Sequence, residues 1–333
     1  MYKVTVIGAG SWGSALARIL GDNNNDVLLY DKNIDVVNEI NHFHTNKSKL
    51  PNGCLPLTVN ATSNLEEAIN FSNTIVISIP TKVLRSTLEL INEYLDTPKL
   101  FVNTSKGLEP KTHLRVSEVV KEVIDDKYIK GFVALTGPSH AEEVILQLLT
   151  AVCSVSTNPD DAKFVQELFN LNTYFRVYTG HDLVGSELCS AIKNVYAIAS
   201  GMLVGLGFGD NAKAGLISRA LVELRRIVVA LGGKEETVFG LTGVGDLIVT
   251  TTSHHSRNFQ AGVKLSQGKN LEETIASMSM VVEGARTAEA VYDLARKLNL
   301  ETPIIDAVYR VIYEKENVKQ VIKELMNRSL KDE

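Results

Sequence analysis

The chain has 333 residues, a length typical of about two domains. Apolar residues make up 44% and charged residues 22%, an ordinary globular composition that excludes a chain disordered or of low complexity throughout. The net charge of −5 excludes the broad basic face that non-specific nucleic-acid binding needs. An anionic ligand must therefore be held by a few local cations and backbone N–H groups.

Cysteine usage and hydropathy bound the class of protein further. The three cysteines, Cys54, Cys153 and Cys189, are too few for a disulfide framework, and none has metal-knuckle spacing. We therefore expect reduced thiols, no metal site and a cytoplasmic location. No export signal and no run of about 18 apolar residues is found, so we expect no signal peptide and no membrane insertion.

In the first half of the chain, short apolar runs alternate with helical spacing. Strands are predicted at residues 3–7, 27–30, 74–79, 100–103, 132–135, 151–155 and 174–178. Helices are predicted through 15–20, 34–40, 83–95 and 114–124, and after Asn158-Pro159-Asp160. Strands that alternate with helices predict right-handed βαβ units and a mostly parallel sheet with both faces covered.

The pattern changes near residues 180–182. Residues 183–231 show helical, small and apolar spacing with one glycine-rich break at 205–209, and 288–298 and 303–326 are also predicted helices. No strand is predicted there. We therefore expect an α/β Rossmann-type dinucleotide-binding domain over residues 1–182, followed by an all-α substrate-binding and catalytic domain over 183–333.

The sequence GAGSWG, which begins at Gly8, directly follows a predicted strand and opens a predicted helix. This context is the one that the G-x-G-x-x-G dinucleotide fingerprint requires. Gly8 allows the tight turn, Gly10 lets a pyrophosphate approach the backbone, and Gly13 lets the helix pack close to the strand. The phosphates then lie at a helix N-terminus, where N–H groups and the helix dipole favour an anion. The alternative is an ordinary tight turn between strand and helix.

Asp31, at the end of the second predicted strand, bears on the choice of dinucleotide. A carboxylate there accepts hydrogen bonds from the adenosine 2′-hydroxyl and repels a 2′-phosphate, which favours NAD(H). Lys32 follows at once, and this lysine, Lys47 or Lys49 could instead pair with the 2′-phosphate of NADP(H). The alternative is an aspartate at a turn beside a solvated lysine.

Polar segments follow two neighbouring strands, where open α/β sheets bind ligands. They are NTSKG at residues 103–107 and TGPS at 136–139. In the helical half, Lys193 lies between apolar neighbours, and a desolvated lysine has a lowered pKa that suits proton transfer. The alternative is a lysine that extends out of its helix to water. Arg257, flanked by Ser256 and Asn258, suits a phosphate because a guanidinium binds oxyanions bidentately.

Taken together, the chain resembles bacterial NAD(P)-dependent sn-glycerol-3-phosphate dehydrogenases. The motifs that carry the resemblance occur in the family's order and span almost the whole chain. They are GAGSWG at 8, NTSKG at 103, LTGPSHAEEV at 135, ELCSAIKNVYAIASG at 187, GFGDNAKA at 207, GLTGVGDLIVT at 240, SRN at 256 and VVEGARTAEAV at 281. The resemblance implies interconversion of dihydroxyacetone phosphate and sn-glycerol 3-phosphate, supply of glycerol phosphate for phospholipid synthesis, and a homodimer.

The resemblance also implies the catalytic roles. Lys193 would be the proton-transfer group, and Asn194 would position it and the substrate. Lys106 would lie against substrate and nicotinamide and polarise the carbonyl. Asp246 would hydrogen-bond the substrate or Lys193, and Thr250 could assist from one helical turn further on.

The remaining implied residues form binding sites. Gly137 and Ser139 would line the substrate pocket, and Ser256, Arg257 and Asn258 would hold the phosphate end. The implied cofactor contacts are Gly8, Gly10, Ser11, Trp12, Gly13, Asp31, Lys32, Lys106, Ala141, Arg257, Val281 and Glu283. Trp12 has an alternative role in core packing alone.

Three departures from the family pattern stand out. Residues 30–33 read YDKN where the family often has an arginine for the NADP 2′-phosphate, and residues 145–150 lack the usual glycine and proline. The latter predicts a local change in a loop or helix. Val204 stands in place of a frequent acid. None of these removes a proposed catalytic group.

The two alternative functions are a two-domain dehydrogenase for another small hydroxy acid and an inactive dinucleotide-binding regulator. The SRN segment argues against a carboxylate-specific site. A regulator has no need of Lys193 as proton donor together with Lys106, Asp246 and Arg257.

Overall fold

A computed structural model describes residues 1–278, 282–330 and 332. The chain divides into two compact units, Met1–Glu187 and Leu188–Glu333. The sequence places the change of character at residues 182–183, a few residues before this division.

The first unit is built on one eight-stranded sheet within the described residues. The strands are β1 (Lys3–Ile7), β2 (Asp26–Tyr30), β3 (Val59–Thr62), β4 (Thr74–Ile77), β5 (Lys99–Asn103), β6 (Ile129–Thr136), β7 (Thr150–Val155) and β8 (Phe175–Gly180). Their order is β3-β2-β1-β4-β5-β6-β7-β8, and every neighbouring pair is parallel except β6 and β7. The strand order reverses between β1 and β4, and ligands bind at the carboxyl ends of strands beside such a point. The predicted Rossmann-type class is confirmed.

Helices cover both faces of this sheet. They are α1 (Ser11–Asp22), α2 (Ile34–Phe43), α3 (Leu65–Phe71), α4 (Thr81–Glu93), α5 (Val116–Val123), α6 (Ala141–Val144) and α7 (Pro159–Phe169). Alternate strand residues enter two separate apolar clusters: Val76 and Val102 join one, and Ile75, Ile77 and Phe101 join the other. Near-continuous apolar strands are the consequence of burial on both faces.

The sequence missed β3 and α3. β3 has four residues at the edge of the sheet, and its sequence VNAT lacks a continuous apolar run. α3 has seven residues, too few for a helical period to stand out. A local signal was present, because the Asn64 side chain accepts a hydrogen bond from the Glu67 N–H and caps the start of α3.

The segment 145–150, which departs from the family pattern, comprises the short connection between α6 and β7 and the first residue of β7. Gln147 adopts a left-handed conformation with φ of 60°. This conformation suits glycine and is costly for other residues. The Gln147 side chain donates a hydrogen bond to Asp22 at 3.1 Å, which ties the connection to the end of α1.

The second unit is helical throughout its described residues. α8 (Leu183–Gly205) begins in the first unit, and it is followed by α9 (Asp210–Ala230), α10 (Glu235–Val238), α11 (Asp246–Thr252), α12 (Arg257–Ser266), α13 (Leu271–Met278), α14 (Glu283–Lys297), α15 (Pro303–Tyr313) and α16 (Val318–Met326). Of the described helices, α8 alone is long and apolar enough to cross a membrane, and 89% of its apolar window is buried. That burial is typical of a core helix.

Two predicted helical segments differ in extent from the structure. The predicted helix 303–326 is two helices, because the Asn317 side chain starts α16 by accepting from the Lys319 and Gln320 N–H groups. The helix predicted from residue 288 begins at Glu283.

A buried carboxylate on α9 caps the start of α15. Glu223 is 2% exposed, and its two oxygens accept the N–H groups of Ile304 and Ile305 at 2.9 and 3.0 Å. Desolvation of the carboxylate raises the pKa of Glu223 to about 7. The cap therefore contains an ionisable group that titrates near neutral pH.

Candidate active site

The glycine turn joins β1 to α1 and brings backbone segments into very close approach. Gly8 has φ of 107°, and a Cβ atom there would lie 2.6 Å from the Ser78 carbonyl oxygen. A Cβ atom on Gly13 would lie 1.9 Å from the Gly8 carbonyl oxygen. A side chain at either position would force this turn apart, because such separations are far below contact distance.

Gly10 differs from its two neighbours in the motif. It is the N-cap of α1 and supplies no side chain to cap the helix. A Cβ atom on Gly10 would meet no atom within 4 Å. An open approach to an uncapped helix N-terminus is the arrangement that accepts a pyrophosphate. The residues present therefore fit a dinucleotide.

Asp31 lies beside this turn. Its Oδ2 accepts the Ala9 N–H at 3.1 Å, and its Oδ1 accepts the Asn33 N–H at 2.9 Å. The carboxylate is thus fixed at the end of β2 next to the glycine loop, where a ribose would be read. Lys32 is exposed and adjacent.

The segment that contains Asn46, which the sequence did not single out, and Lys49 also contacts the glycine turn. Asn46 is buried and donates hydrogen bonds of 2.9 Å to the Ala9 carbonyl and the Ser14 hydroxyl. The Ser11 hydroxyl donates to the Lys49 carbonyl at 3.2 Å. No local sequence motif predicts these contacts, because they join residues more than 30 positions apart.

Trp12 packs against the apolar cluster that contains α1. Its ring Nε1 is buried and has no hydrogen-bond partner in the part of the chain that the structure describes. The indole therefore has a packing role, and a cofactor contact at Trp12 remains a prediction.

At the carboxyl end of β5, the NTSKG segment turns sharply and presents Lys106. The Asn103 side chain accepts the Ser105 N–H at 2.9 Å, and the Ser105 hydroxyl donates to the Ile79 carbonyl at 2.6 Å. Gly107 has φ of 137°. The half-buried Lys106 donates from Nζ to the Gly137 carbonyl at 3.4 Å.

The neighbouring end of β6 meets the same point. The Ser139 hydroxyl donates to the Gly137 carbonyl at 3.0 Å. Gly137 has φ of 146°, and a Cβ atom there would lie 2.9 Å from the Val152 Cα. The structure therefore brings Lys106, Gly137 and Ser139 together, with Ala141 just beyond at the start of α6.

An ion pair that the sequence did not predict holds the loop after Lys106. The buried Glu109 carboxylate accepts two hydrogen bonds of 2.8 Å from Arg85 on α4 and a third from the Thr112 hydroxyl. The Arg85 hydrogen bond is the main cause that lowers the pKa of Glu109. A bidentate pair fixes geometry as well as charge.

In the second unit, Lys193 is buried with its charge paired. Lys193 on α8 is 3% exposed, its Nζ forms an ion pair with the Asp246 carboxylate, and it donates to the Thr250 hydroxyl at 2.9 Å. The Thr250 hydroxyl in turn donates to the Asp246 carbonyl at 2.6 Å. The Lys193 side chain does not reach water, so the alternative of a lysine that extends out of its helix to solvent is excluded.

The backbone before Asp246 is unusual. Leu241–Gly245 forms a π-helical turn that leads directly into α11. Gly243 is required within it, because a Cβ atom there would lie 2.1 Å from the Val238 carbonyl oxygen. Single π-helical turns occur frequently at functional sites. This turn sets where Asp246 starts the next helix.

The SRN segment forms the first turn of α12. The Ser256 hydroxyl caps the helix by accepting the Phe259 N–H at 3.3 Å. Arg257 is exposed, and within the described ranges its guanidinium makes no ion pair. The Asn258 side chain accepts the Gly284 N–H at 2.9 Å.

Each unit thus gathers one set of the predicted residues. The first holds the glycine turn, Asp31 and the Lys106 group; the second holds Lys193, Asn194, Asp246 and the SRN segment. Glu283 is the first residue of α14, and Val281 lies outside the described residues. No cluster of three or more potential metal-binding His, Cys, Asp or Glu side chains occurs in the described chain.

Comparisons with known proteins assign both units to one family. Residues 3–162 match the family described as NAD-dependent glycerol-3-phosphate dehydrogenase N-terminus, and residues 182–323 match its C-terminus. A glycerol-3-phosphate dehydrogenase (NAD(P)+) from Staphylococcus carnosus is 46% identical over 333 residues, covering 100% of both chains. One from Bacillus anthracis is 48% identical, covering 100% of this chain and 98% of its own. The crystal structure of a glycerol-3-phosphate dehydrogenase from Coxiella burnetii is 34% identical with a TM-score of 0.92, covering 98% and 99%.

Proposed function

The chain belongs to the family of NAD-dependent glycerol-3-phosphate dehydrogenases, and we propose that it interconverts dihydroxyacetone phosphate and sn-glycerol 3-phosphate with NAD(H) or NADP(H). The observation that carries the proposal is the buried ammonium of Lys193, paired with Asp246 and bonded to Thr250. Reduction of a ketone needs one hydride and one proton, and this group holds a proton in a site shielded from water.

Lys193 is the proposed general acid of the reduction. Its Nζ–H bond breaks as the substrate oxygen gains the proton, and in the reverse direction the amine takes the proton from the hydroxyl. Positioned proton transfer accelerates such reactions by about 10²–10⁴-fold. Asp246 and Thr250 hold Nζ in place, and Asn194 follows on the same helix to orient the substrate. The nicotinamide cofactor supplies or accepts the hydride.

Lys106 is the proposed electrostatic group. Negative charge develops on the carbonyl oxygen during reduction, and a positioned cation stabilises that charge without reorganising. The ion pair between Arg85 and Glu109 fixes the loop that carries this lysine. Gly137 and Ser139, at the same carbonyl contact, are the proposed neighbours of the substrate.

Ser256, Arg257 and Asn258 are the proposed phosphate site. The exposed guanidinium of Arg257 lies at the first turn of a ten-residue helix, where the dipole also favours an anion. Phosphate binding energy is available to orient the distant carbonyl carbon.

For the dinucleotide, the proposed contacts are the glycine turn with Ser11 and Trp12, together with Ala141, Val281 and Glu283. NAD(H) is the proposed preference, because the fixed Asp31 carboxylate repels a 2′-phosphate. Lys32, Lys47 or Lys49 is the residue through which NADP(H) would still bind.

The wider proposal follows the family: a homodimer in the cytoplasm that supplies glycerol phosphate for phospholipid synthesis. Membership of this family argues against the hydroxy-acid dehydrogenase and the inactive regulator. Sedimentation of the purified protein tests the dimer.

Nicotinamide absorbance tests the reaction. Purified protein is mixed with dihydroxyacetone phosphate and either NADH or NADPH, with carboxylate-bearing keto acids as controls. We expect NADH or NADPH to be consumed with dihydroxyacetone phosphate but not with the keto acids. Folded protein that binds the dinucleotide but oxidises neither NADH nor NADPH would refute the proposal. The ratio of kcat/KM for the two cofactors tests the role of Asp31.

A further inference from the structure

Gly284, the second residue of α14, contacts two proposed substrate residues without being one itself. We propose that Gly284 is a positioning residue: its N–H fixes the Asn258 amide with the nitrogen toward the substrate phosphate, and its missing side chain admits Asn194. The inference rests on the proposed function, because it orients a group proposed to bind the substrate phosphate.

The first step concerns how α14 begins. Val282 is its N-cap and makes no side-chain capping bond. The Gly284 N–H is one of the donors that a helix start leaves without an intrahelical partner. Asn258 on α12 satisfies it at 2.9 Å in a buried hydrogen bond. One helix therefore supplies the cap of another.

The second step concerns the amide of Asn258. A carboxamide has one acceptor oxygen and one donor nitrogen with two N–H groups. Because Oδ1 accepts the Gly284 N–H, the nitrogen lies on the other branch of the amide. Reversing the amide would turn a donor toward a buried donor. The Gly284 bond therefore selects the orientation in which Asn258 offers N–H groups, which is what a phosphate accepts.

The third step concerns space. A Cβ atom on Gly284 would lie 2.5 Å from the Asn194 carbonyl oxygen and 2.9 Å from the Asn258 Oδ1. Gly284 does not have a positive φ, so glycine is needed here for the close approach and not for the backbone conformation. Asn194 directly follows Lys193, so a methyl group at residue 284 would displace the backbone beside the proton donor and the phosphate ligand together.

Asn258→Asp and Asn258→Ala separate capping from phosphate binding. Aspartate keeps the acceptor for Gly284 and places a carboxylate at a helix N-terminus, so its thermal midpoint should equal or exceed that of the wild type. It lacks the donor and repels phosphate, so inorganic phosphate should raise the midpoint clearly less than it does in the wild type. The KM for dihydroxyacetone phosphate should rise by at least about tenfold, with kcat changed much less. The alanine variant should be less stable than the wild type and should bind phosphate more weakly.

Gly284→Ala tests the space argument, with Gly215→Ala on α9 as its control. A Cβ atom on Gly215 would meet no atom within 4 Å. Gly284→Ala should raise the KM by about tenfold or more and lower kcat, because Asn258 and the backbone beside Lys193 both move. Gly215→Ala should leave both values unchanged.

Three results would overturn the inference. An Asn258→Asp variant that inorganic phosphate stabilises as much as the wild type refutes the orientation of the amide, and a Gly284→Ala variant with unchanged KM and kcat refutes the positioning role. An Asn258→Asp variant as unstable as Asn258→Ala refutes the cap. Phosphate stabilisation needs no turnover, so these outcomes are distinct from a wild-type protein that fails to reduce dihydroxyacetone phosphate.

Discussion

Replacing Lys193 with methionine is expected to damage stability and catalysis for separate reasons. The Lys193 and Asp246 side chains are 4% and 1% exposed, so water cannot solvate the carboxylate once its cation is removed. Breaking a buried ion pair by removing one partner costs about 3–5 kcal/mol. That is a large part of the roughly 5–15 kcal/mol that keeps a domain folded.

The double variant Lys193→Met, Asp246→Leu removes both charges and replaces them with apolar side chains. Such replacements are typically neutral or stabilising by about 1–4 kcal/mol. Stability should therefore return in the double variant. Turnover should not, and both variants should be slower than the wild type by at least about 10²–10⁴-fold.

Lys99→Met is the matched control. Lys99 is also 2% exposed, and its Nζ donates to the Ser72 carbonyl at 3.0 Å and to Asn73 at 3.3 Å. It lies at the start of β5, at the opposite end of the strand from the NTSKG segment. This variant loses a buried lysine but should keep its turnover.

Amide hydrogen exchange in α8 and α11 measures the stability of the helical unit itself, which suits a chain with two compact units. Turnover is followed with dihydroxyacetone phosphate. Unchanged protection in Lys193→Met would refute the energetic argument for the buried pair. Recovered turnover in the double variant would refute Lys193 as the proton donor.

Three further predictions concern other parts of the molecule. Arg257→Ala should raise the KM for dihydroxyacetone phosphate at least about tenfold, with kcat changed much less; an unchanged KM refutes the phosphate contact. Asp31→Asn should raise the NADPH-to-NADH ratio of kcat/KM by about tenfold, and an unchanged ratio removes Asp31 from cofactor selection. The pKa of Glu223 is raised from 4.5 to about 7. Its contribution to the free energy of unfolding is therefore greatest below pH 4.5 and falls by about 3 kcal/mol as the pH rises through 7. Glu223→Gln should remove this fall, which thermal midpoints at about pH 5 and about pH 8 measure against the wild type.

The central strands of the sheet were predictable, whereas of its two edge strands β8 was predicted and β3 was missed. β1 and β4 are largely buried on both faces, so they appear in the sequence as near-continuous apolar runs. β3 pairs with one neighbour only and includes the exposed Asn60, so its sequence lacks that signature. β8 also lies at an edge, but its sequence FRVYTG is longer and richer in aromatic and β-branched residues, which are typical of strands.

The site was predictable as residue types but not as contacts. The glycine motif and Lys106 follow strands, and their positions come from the local chain. The burial of Lys193 depends on which helices surround α8. Its apolar sequence neighbours were therefore compatible both with a desolvated lysine and with one that extends to water. The buried Asn46 contacts the glycine turn from more than 30 residues away, and no spacing rule could reveal it.

Helix starts in the second unit explain one difference between prediction and structure. α14 and α15 begin without a side-chain cap of their own, and Asn258 and Glu223 cap them from other helices. Pro303 marks the start of α15 in the sequence, whereas α14 has no such marker and was predicted to begin at residue 288. The turn left out contains Gly284. The start of α14 is therefore defined by tertiary contacts alone, and the same contacts hold the two proposed substrate residues Asn258 and Asn194.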